Sequence, residues 1–161
     1  SRLSKKYLIV HQTGDSQKFK DYDSLLITKE ALDKDYKNNY VLKKFLSSNE
    51  SARIIKSADL VIGRSGVNTV TELMYLKKPA LLIPISFSQK NEQQKNAEFM
   101  REFGLAEIIN EEDLTEEVFL EKINLIFDNI KNYTAEKEIL FENSALKIIK
   151  VIEDVSKKTT A

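Results

Sequence analysis

The residues best placed to do chemistry stand in one run, Ala58-Asp59-Leu60-Val61-Ile62-Gly63-Arg64-Ser65-Gly66-Val67-Asn68-Thr69-Val70-Thr71-Glu72-Leu73. An apolar stretch ends in a turn of small residues, and a helical pattern follows. Gly66 has no Cβ to hold a ligand away from the backbone. The first N–H groups of the helix, at Val67, Asn68 and Thr69, have no carbonyl one turn back to bond. They point outward with the positive end of the helix dipole, which suits a phosphate or pyrophosphate. The dipole alone contributes about 0.3 to 2 kcal/mol, so several N–H groups and the Thr69 hydroxyl must act together. A plain βα turn with Ser65 as the helix cap fits the same residues.

Glu72 lies about one turn beyond those N–H groups. Its carboxylate could accept hydrogen bonds from two vicinal hydroxyls, such as ribose offers, at about 1.5 to 3 kcal/mol for a charge-assisted bond. An ordinary solvated helix-surface glutamate has the same sequence signature. A second polar run, Ser86-Phe87-Ser88-Gln89-Lys90-Asn91-Glu92-Gln93-Gln94-Lys95-Asn96-Ala97, also follows an apolar stretch and enters a helix. The amides of Gln93 and Gln94 offer donors and acceptors together, as reading sugar hydroxyls requires. A hydrophilic helix start accounts for them equally well. Neither run is a Walker loop, because no Gly-Lys-Ser/Thr follows, and neither is a Gly-x-Ser-x-Gly hydrolase elbow. Ser65 is therefore not read as a nucleophile. His11, the sole histidine, could serve it, but no third member of such a triad is identifiable.

These residues need strands to carry them. Tyr7–Val10, Tyr40–Phe45 (less purely apolar), Asp59–Gly63 and Pro79–Ile85 read as strands, continuous rather than alternating in apolar character and so buried on both faces, and Leu105–Ile109 reads as a fifth. Between them, Leu25, Leu26, Leu32 and Tyr36 are loosely helical, and Val70, Leu73 and Met74 fall at i, i+3, i+4. Asn96, Phe99, Met100 and Phe103 repeat the spacing before Gly104, a suitable C′ residue. Strands alternating with helices imply βαβ units, an α/β class and a parallel sheet with flanking helices. In such sheets ligands bind beyond the carboxyl ends of the strands, where both polar runs fall. Further on, Thr115 is positioned to cap a helix with Phe119, Leu120, Ile123, Phe127 and Ile130 on one stripe. A last helix, about 135–157, would turn Ile139, Leu146, Ile149 and Ile152 inward.

Composition narrows the partners. The 25 basic residues balance 25 acidic ones, so there is no footprint for holding a phosphate backbone, and nucleic acid is not expected. The absence of cysteine removes thiolate zinc sites, iron–sulfur clusters and cysteine nucleophiles, and a single histidine removes multi-histidine metal motifs. No apolar run reaches the ~18 to 20 residues that span a bilayer, and no signal peptide is recognisable, so a cytoplasmic location is expected. With 161 residues and no linker rich in Gly, Pro or Ser, one domain is expected throughout. The chain opens without methionine, which suggests that it begins inside a longer one.

Taken jointly, His11-Gln12-Thr13-Gly14, Arg64-Ser65-Gly66, Thr69-Val70-Thr71-Glu72-Leu73, Pro79-Ala80 through Pro84, Gln93-Gln94-Lys95-Asn96-Ala97 and Gly104-Leu105-Ala106 resemble, in collinear order over about residues 7–115, the C-terminal, donor-binding half of the MurG family. Those bacterial transferases move N-acetylglucosamine from UDP-N-acetylglucosamine to undecaprenyl-linked muramyl-pentapeptide. The resemblance implies a Rossmann-like C-terminal half of a GT-B glycosyltransferase that lacks its first strand and Gly-rich loop. It implies that Gly66, Val67, Asn68 and Thr69 cradle the diphosphate, that Arg64 and Ser65 belong to the same UDP-sugar site, and that Glu72 takes the ribose. Gln93 and Gln94, with Asn96, would read the sugar, and Phe45 and Leu46 would bound the uracil. No catalytic residue, metal or cofactor is assigned in the chain. The lipid-linked acceptor, and any peripheral contact with the inner face of the membrane, would engage an N-terminal domain outside it. A nucleotide-sugar-binding subunit of a two-subunit transferase and a UDP-N-acetylglucosamine epimerase are the other readings on this fold.

Overall fold

A computed structural model describes residues 2–16, 18–87, 91–135 and 144–159. The chain divides into two compact units, Ser1–Ala58 and Asp59–Ala161.

The second unit carries the core. Its strands β3 (Val61–Gly63), β4 (Ala80–Leu82) and β5 (Ala106–Ile108) form a parallel sheet in the order β3-β4-β5, with Val61 opposite Ala80 and Ala80 opposite Ala106. Ala80, Leu81 and Leu82 of the central strand are wholly buried, as strands covered on both faces must be. Helix α4 (Val67–Tyr75) connects β3 to β4 and buries Val70, Leu73 and Met74, the three residues whose spacing marks its inner face. A leucine buried as fully as Leu73 stabilises the fold by about 1.5 to 3 kcal/mol relative to an exposed one. The helix stops where Lys77 turns left-handed (φ 50°) ahead of Lys78-Pro79, which cannot continue it.

Helix α5 (Glu92–Glu102) follows β4 and buries Ala97 and Met100. Gly104 ends it at φ 74°, with Gly104 N–H on the Arg101 carbonyl at 2.9 Å and Leu105 N–H on the Met100 carbonyl at 3.2 Å. That is the expected glycine C′ residue, which needs a backbone most side chains resist. Phe99 departs from the expected inner stripe: it is about half exposed and packs on Phe103 with ring centroids 4.9 Å apart. Helix α6 (Glu116–Asp128) is capped as expected by Thr115, whose hydroxyl accepts from Val118 N–H at 3.2 Å. Its fully buried residues are Ile123, as expected, and Ile126, which replaces Ile130; the latter falls in a 3₁₀ turn past the helix end. Helix α7 (Ser144–Thr159) falls within the expected last helix, and Ile139 lies outside the described residues. Leu146, Ile149 and Ile152 are not inward as expected: each is at least half exposed, because no described element covers that face.

The first unit is a smaller parallel pair. Strand β1 (Ile9–Gln12) runs beside β2 (Tyr40–Lys43), with Ile9 opposite Tyr40. The expected buried strand Tyr7–Val10 is two residues early and too deeply placed. Leu8 and Val10 are exposed, since among the described residues β1 has β2 alone beside it and α1 (Asp21–Glu30) buries no side chain. A short helix α2 (Lys34–Lys37) precedes β2. Helix α3 (Ser48–Ser57) was not expected. It starts on a complete capping box in which Ser47 Oγ accepts from Glu50 N–H at 3.3 Å and Ser47 N–H donates to Glu50 Oε2 at 2.9 Å.

Candidate functional site

The carboxyl end of β3 leads into α4 through Arg64-Ser65-Gly66. Gly66 is the N-cap residue with an extended backbone (φ −62°, ψ 150°), and no side chain caps the helix. The first helical bond is Val70 N–H to the Gly66 carbonyl at 3.0 Å, so the N–H groups of Val67, Asn68 and Thr69 precede it. No acidic side chain stands in the first turn to neutralise the dipole. A Cβ placed on Gly66 would meet no atom within 4 Å, so the backbone is open on that side. Asn68 and Glu72 are exposed, and the i, i+4 spacing sets them on one face of α4.

Ser65 differs from the alternative of a simple cap. It is completely buried, and its hydroxyl donates to the Gln93 carbonyl at 2.7 Å, across to α5. Asn96 Nδ2 donates back to the Ser65 carbonyl at 3.1 Å. The Gln93 side chain turns the other way, its Oε1 accepting from Ile85 N–H at 3.0 Å. Thus Ser65, Gln93 and Asn96 are brought together as a part-buried clasp that sets the turn before α4. A serine hydroxyl committed to a carbonyl has no base to activate it, in keeping with its not being read as a nucleophile. Gln94 Nε2 donates to Glu98 Oε1 at 3.0 Å, and Gln94 alone of the expected site residues lines a cleft of about 230 Å³ bounded by Ile85, Ser86, Glu111 and Glu112.

Arg64 faces the neighbouring loops. Its Nη1 donates to the Ile83 carbonyl at 3.0 Å, and its Nη2 donates to Glu111 Oε1 at 2.7 Å. Glu111 Oε2 accepts from Ser86 Oγ at 2.9 Å and, at a longer 3.4 Å, from Ser86 N–H. The Arg64 bond, then those from Ser86, holds the Glu111 carboxyl below the usual carboxylate range. Glu111 escaped the sequence reading. Its signal was the acidic run Asn110-Glu111-Glu112-Asp113 placed directly after the fifth strand, at the carboxyl end where ligands bind.

Phe45 and Leu46 belong to the first unit, just past β2. Phe45 is exposed, and Leu46 N–H donates to Gln12 Oε1 at 3.2 Å. His11 shares a hydrogen bond of 2.8 Å between Nδ1 and the Tyr40 hydroxyl, within the same unit. Among the described residues no three His, Asp or Glu side chains converge as a metal site.

The model of the glycosyltransferase family 28 C-terminal domain matches residues 1–152. The chain belongs to that family. Among curated relatives of this family 28 C-terminal domain is a protein of Prochlorococcus marinus (strain MIT 9301) named UDP-N-acetylglucosamine–N-acetylmuramyl-(pentapeptide) pyrophosphoryl-undecaprenol N-acetylglucosamine transferase. It is 39% identical over 126 residues, 78% of this chain and 31% of its own length. A protein of the same name from Bacillus cytotoxicus is 31% identical over 160 residues, 96% of this chain and 42% of its own. The family 28 chain thus spans about a third to two-fifths of the relatives it matches.

The crystal structure of MurG from Acinetobacter baumannii superposes with a TM-score of 0.55 at 27% identity, covering 78% of this chain and 33% of that one. The spinosyn forosaminyltransferase SpnP, at 10% identity and a TM-score of 0.52 over 83% of this chain and 40% of its own, shares the fold alone. The α/β architecture of parallel sheets with flanking helices is that of the GT-B glycosyltransferases.

Proposed function

We propose that this chain is the donor-binding part of an inverting glycosyltransferase that moves N-acetylglucosamine from UDP-N-acetylglucosamine to a lipid-linked acceptor, the lipid I to lipid II step of peptidoglycan synthesis. The observation that carries the reading is the uncapped, acid-free start of α4 at Gly66, open on its backbone side, in a chain whose curated relatives are named N-acetylglucosamine transferases.

In this reading the diphosphate sits on the N–H groups of Val67, Asn68 and Thr69. Glu72 accepts from the ribose hydroxyls, and Gln94 faces the sugar from the cleft beside Glu111. An acceptor hydroxyl attacks the anomeric carbon in line. The bond from that carbon to the diphosphate oxygen breaks with its electron pair, and UDP leaves. The helix start stabilises the growing negative charge because its dipoles are already oriented toward it. The acceptor, the group that takes its proton and any contact with the inner face of the membrane lie with the rest of the protein. Among the described residues no helix is long and apolar enough to cross a membrane.

The test is a transfer assay on the full-length protein, with lipid I as acceptor and UDP-N-acetylglucosamine, UDP-glucose and UDP-galactose as donors, each with and without EDTA. The reading predicts transfer from UDP-N-acetylglucosamine in preference to the other two, undiminished by the chelator. Transfer that is abolished by EDTA, or that prefers another donor, contradicts it.

A further inference from the structure

We propose that Glu111 is a positioning residue for donor binding, acting through Arg64 and Ser86 to hold the three loops at the carboxyl ends of β3, β4 and β5 in one arrangement. The inference deepens the donor-binding reading above and rests on it.

The geometry is a closed circuit. Arg64, on the loop after β3, donates to the Ile83 carbonyl at the end of β4 and to Glu111 on the loop after β5. Glu111 divides its two carboxylate oxygens, Oε1 accepting from Arg64 and Oε2 from Ser86 on the loop after β4. Each pair of adjacent loops is therefore tied by a charged group, and charge-assisted bonds are the strong ones. Arg64 stands two residues before Gly66, where the backbone presents its N–H groups. The buried Ser65 clasp fixes one side of that turn, and Arg64 fixes the other. Two members of the circuit, Ser86 and Glu111, line the cleft that Gln94 also lines, so the tie reaches from the phosphate loop to the sugar side.

Two features separate this role from a folding role. Arg64 and Glu111 keep 46% and 35% side-chain exposure, and exposed ion pairs contribute little to stability because water competes for both charges. Binding is sensitive to position in a way that folding is not, since donors displaced by a fraction of an ångström lose their alignment with the ligand. This assignment gives Arg64, expected in the UDP-sugar site, a part played through Glu111 rather than on the ligand.

Glu111→Gln is the sharpest perturbation. The amide keeps the shape but removes the charge: with its oxygen on Arg64 the ion pair becomes a neutral hydrogen bond, and its NH2 then faces Ser86, whose hydroxyl can accept from it but whose N–H cannot. UDP is titrated calorimetrically into the full-length wild type, Glu111→Gln, Arg64→Ala and the double variant, with thermal melting and donor KM and kcat measured alongside. Each single variant is expected to weaken UDP binding by about three- to tenfold and to raise the donor KM in step, and the double variant no further than the worse single one, as residues acting as a unit do. Melting midpoints are expected to stay within about 3 °C of wild type.

Losses that add would assign Arg64 to the diphosphate independently of Glu111 and overturn the proposal. So would a Glu111→Gln that binds UDP as wild type does. A purely structural loss lowers titration stoichiometry and kcat while leaving Kd alone, and that pattern, or unfolding of Glu111→Gln at the assay temperature, also overturns it. Absence of UDP binding by the wild type is a different outcome, which removes the donor reading itself.

Discussion

Replacing Gly66 with alanine separates the fold from the ligand at a single atom. The backbone there has φ −62° and ψ 150°, which any L-residue adopts, and the new Cβ would have no neighbour within 4 Å. Two small effects on stability oppose one another. Removing a glycine from the unfolded chain stabilises by about 0.4 to 1 kcal/mol, and alanine is a poorer N-cap than glycine by about 0.5 to 1.5 kcal/mol. The net change in folding is expected to stay within about 1 kcal/mol, measured by urea denaturation. The methyl group would occupy the open side from which a diphosphate must reach the N–H groups of Val67, Asn68 and Thr69. Loss of one charge-assisted bond of about 1.5 to 3 kcal/mol weakens UDP binding by about 10- to 150-fold. Calorimetric titration of the full-length protein with UDP reads this directly. Affinity within a factor of two of wild type, with folding intact, would refute the reasoning.

Other expectations follow from the same geometry. Glu72→Ala should weaken UDP by about tenfold and leave 2′-deoxy-UDP much less affected, because the carboxylate reads the hydroxyl pair; competition binding with the two nucleotides checks it, and equal losses would count against the ribose role. Ser65→Ala should cost about 0.5 to 1.5 kcal/mol in urea denaturation, since it removes the hydrogen bond that ties the turn before α4 to the Gln93 carbonyl of α5, and an unchanged midpoint would contradict the clasp. Tyr133 donates its hydroxyl to Glu107 Oε1 at 3.0 Å, and burial and then that bond push its pKa up to about 12. A raised folded-state pKa means stability that is fully present below the unfolded value of about 10 and is lost as pH rises toward 12. The difference in melting midpoint between wild type and Tyr133→Phe should therefore shrink between pH 10 and 12; a constant difference would refute the contact.

Much of the second unit was legible in its sequence because burial on both faces leaves a continuous apolar signature. Ala80-Leu81-Leu82, the Val70, Leu73, Met74 spacing, Thr115 and Gly104 each have a local physical cause that can be read without the fold. The turn at Gly66 was legible for the same reason. What sequence reading missed depends on contacts distant along the chain. Ser65 resembles a cap until Gln93 and Asn96, 28 and 31 residues away, are seen to clasp it. The Arg64–Glu111 pair spans 47 residues and leaves no periodic trace. Helix α3 carries a local signal in Ser47-Ser48-Asn49-Glu50, a capping box, but its polar residues mask the short Ile54, Ile55 face. The residues of α7 show the opposite failure: amphipathic spacing marks an apolar face without supplying what covers it.

The central claim is that the start of α4 receives the diphosphate of the donor. Amide hydrogen exchange on the full-length protein, with and without saturating UDP, tests it most directly, because exchange reports the N–H groups themselves. Protection concentrated in peptides covering Gly66 to Thr69 is the predicted result. UDP binding that leaves those amides exchanging as in the free protein would contradict the account.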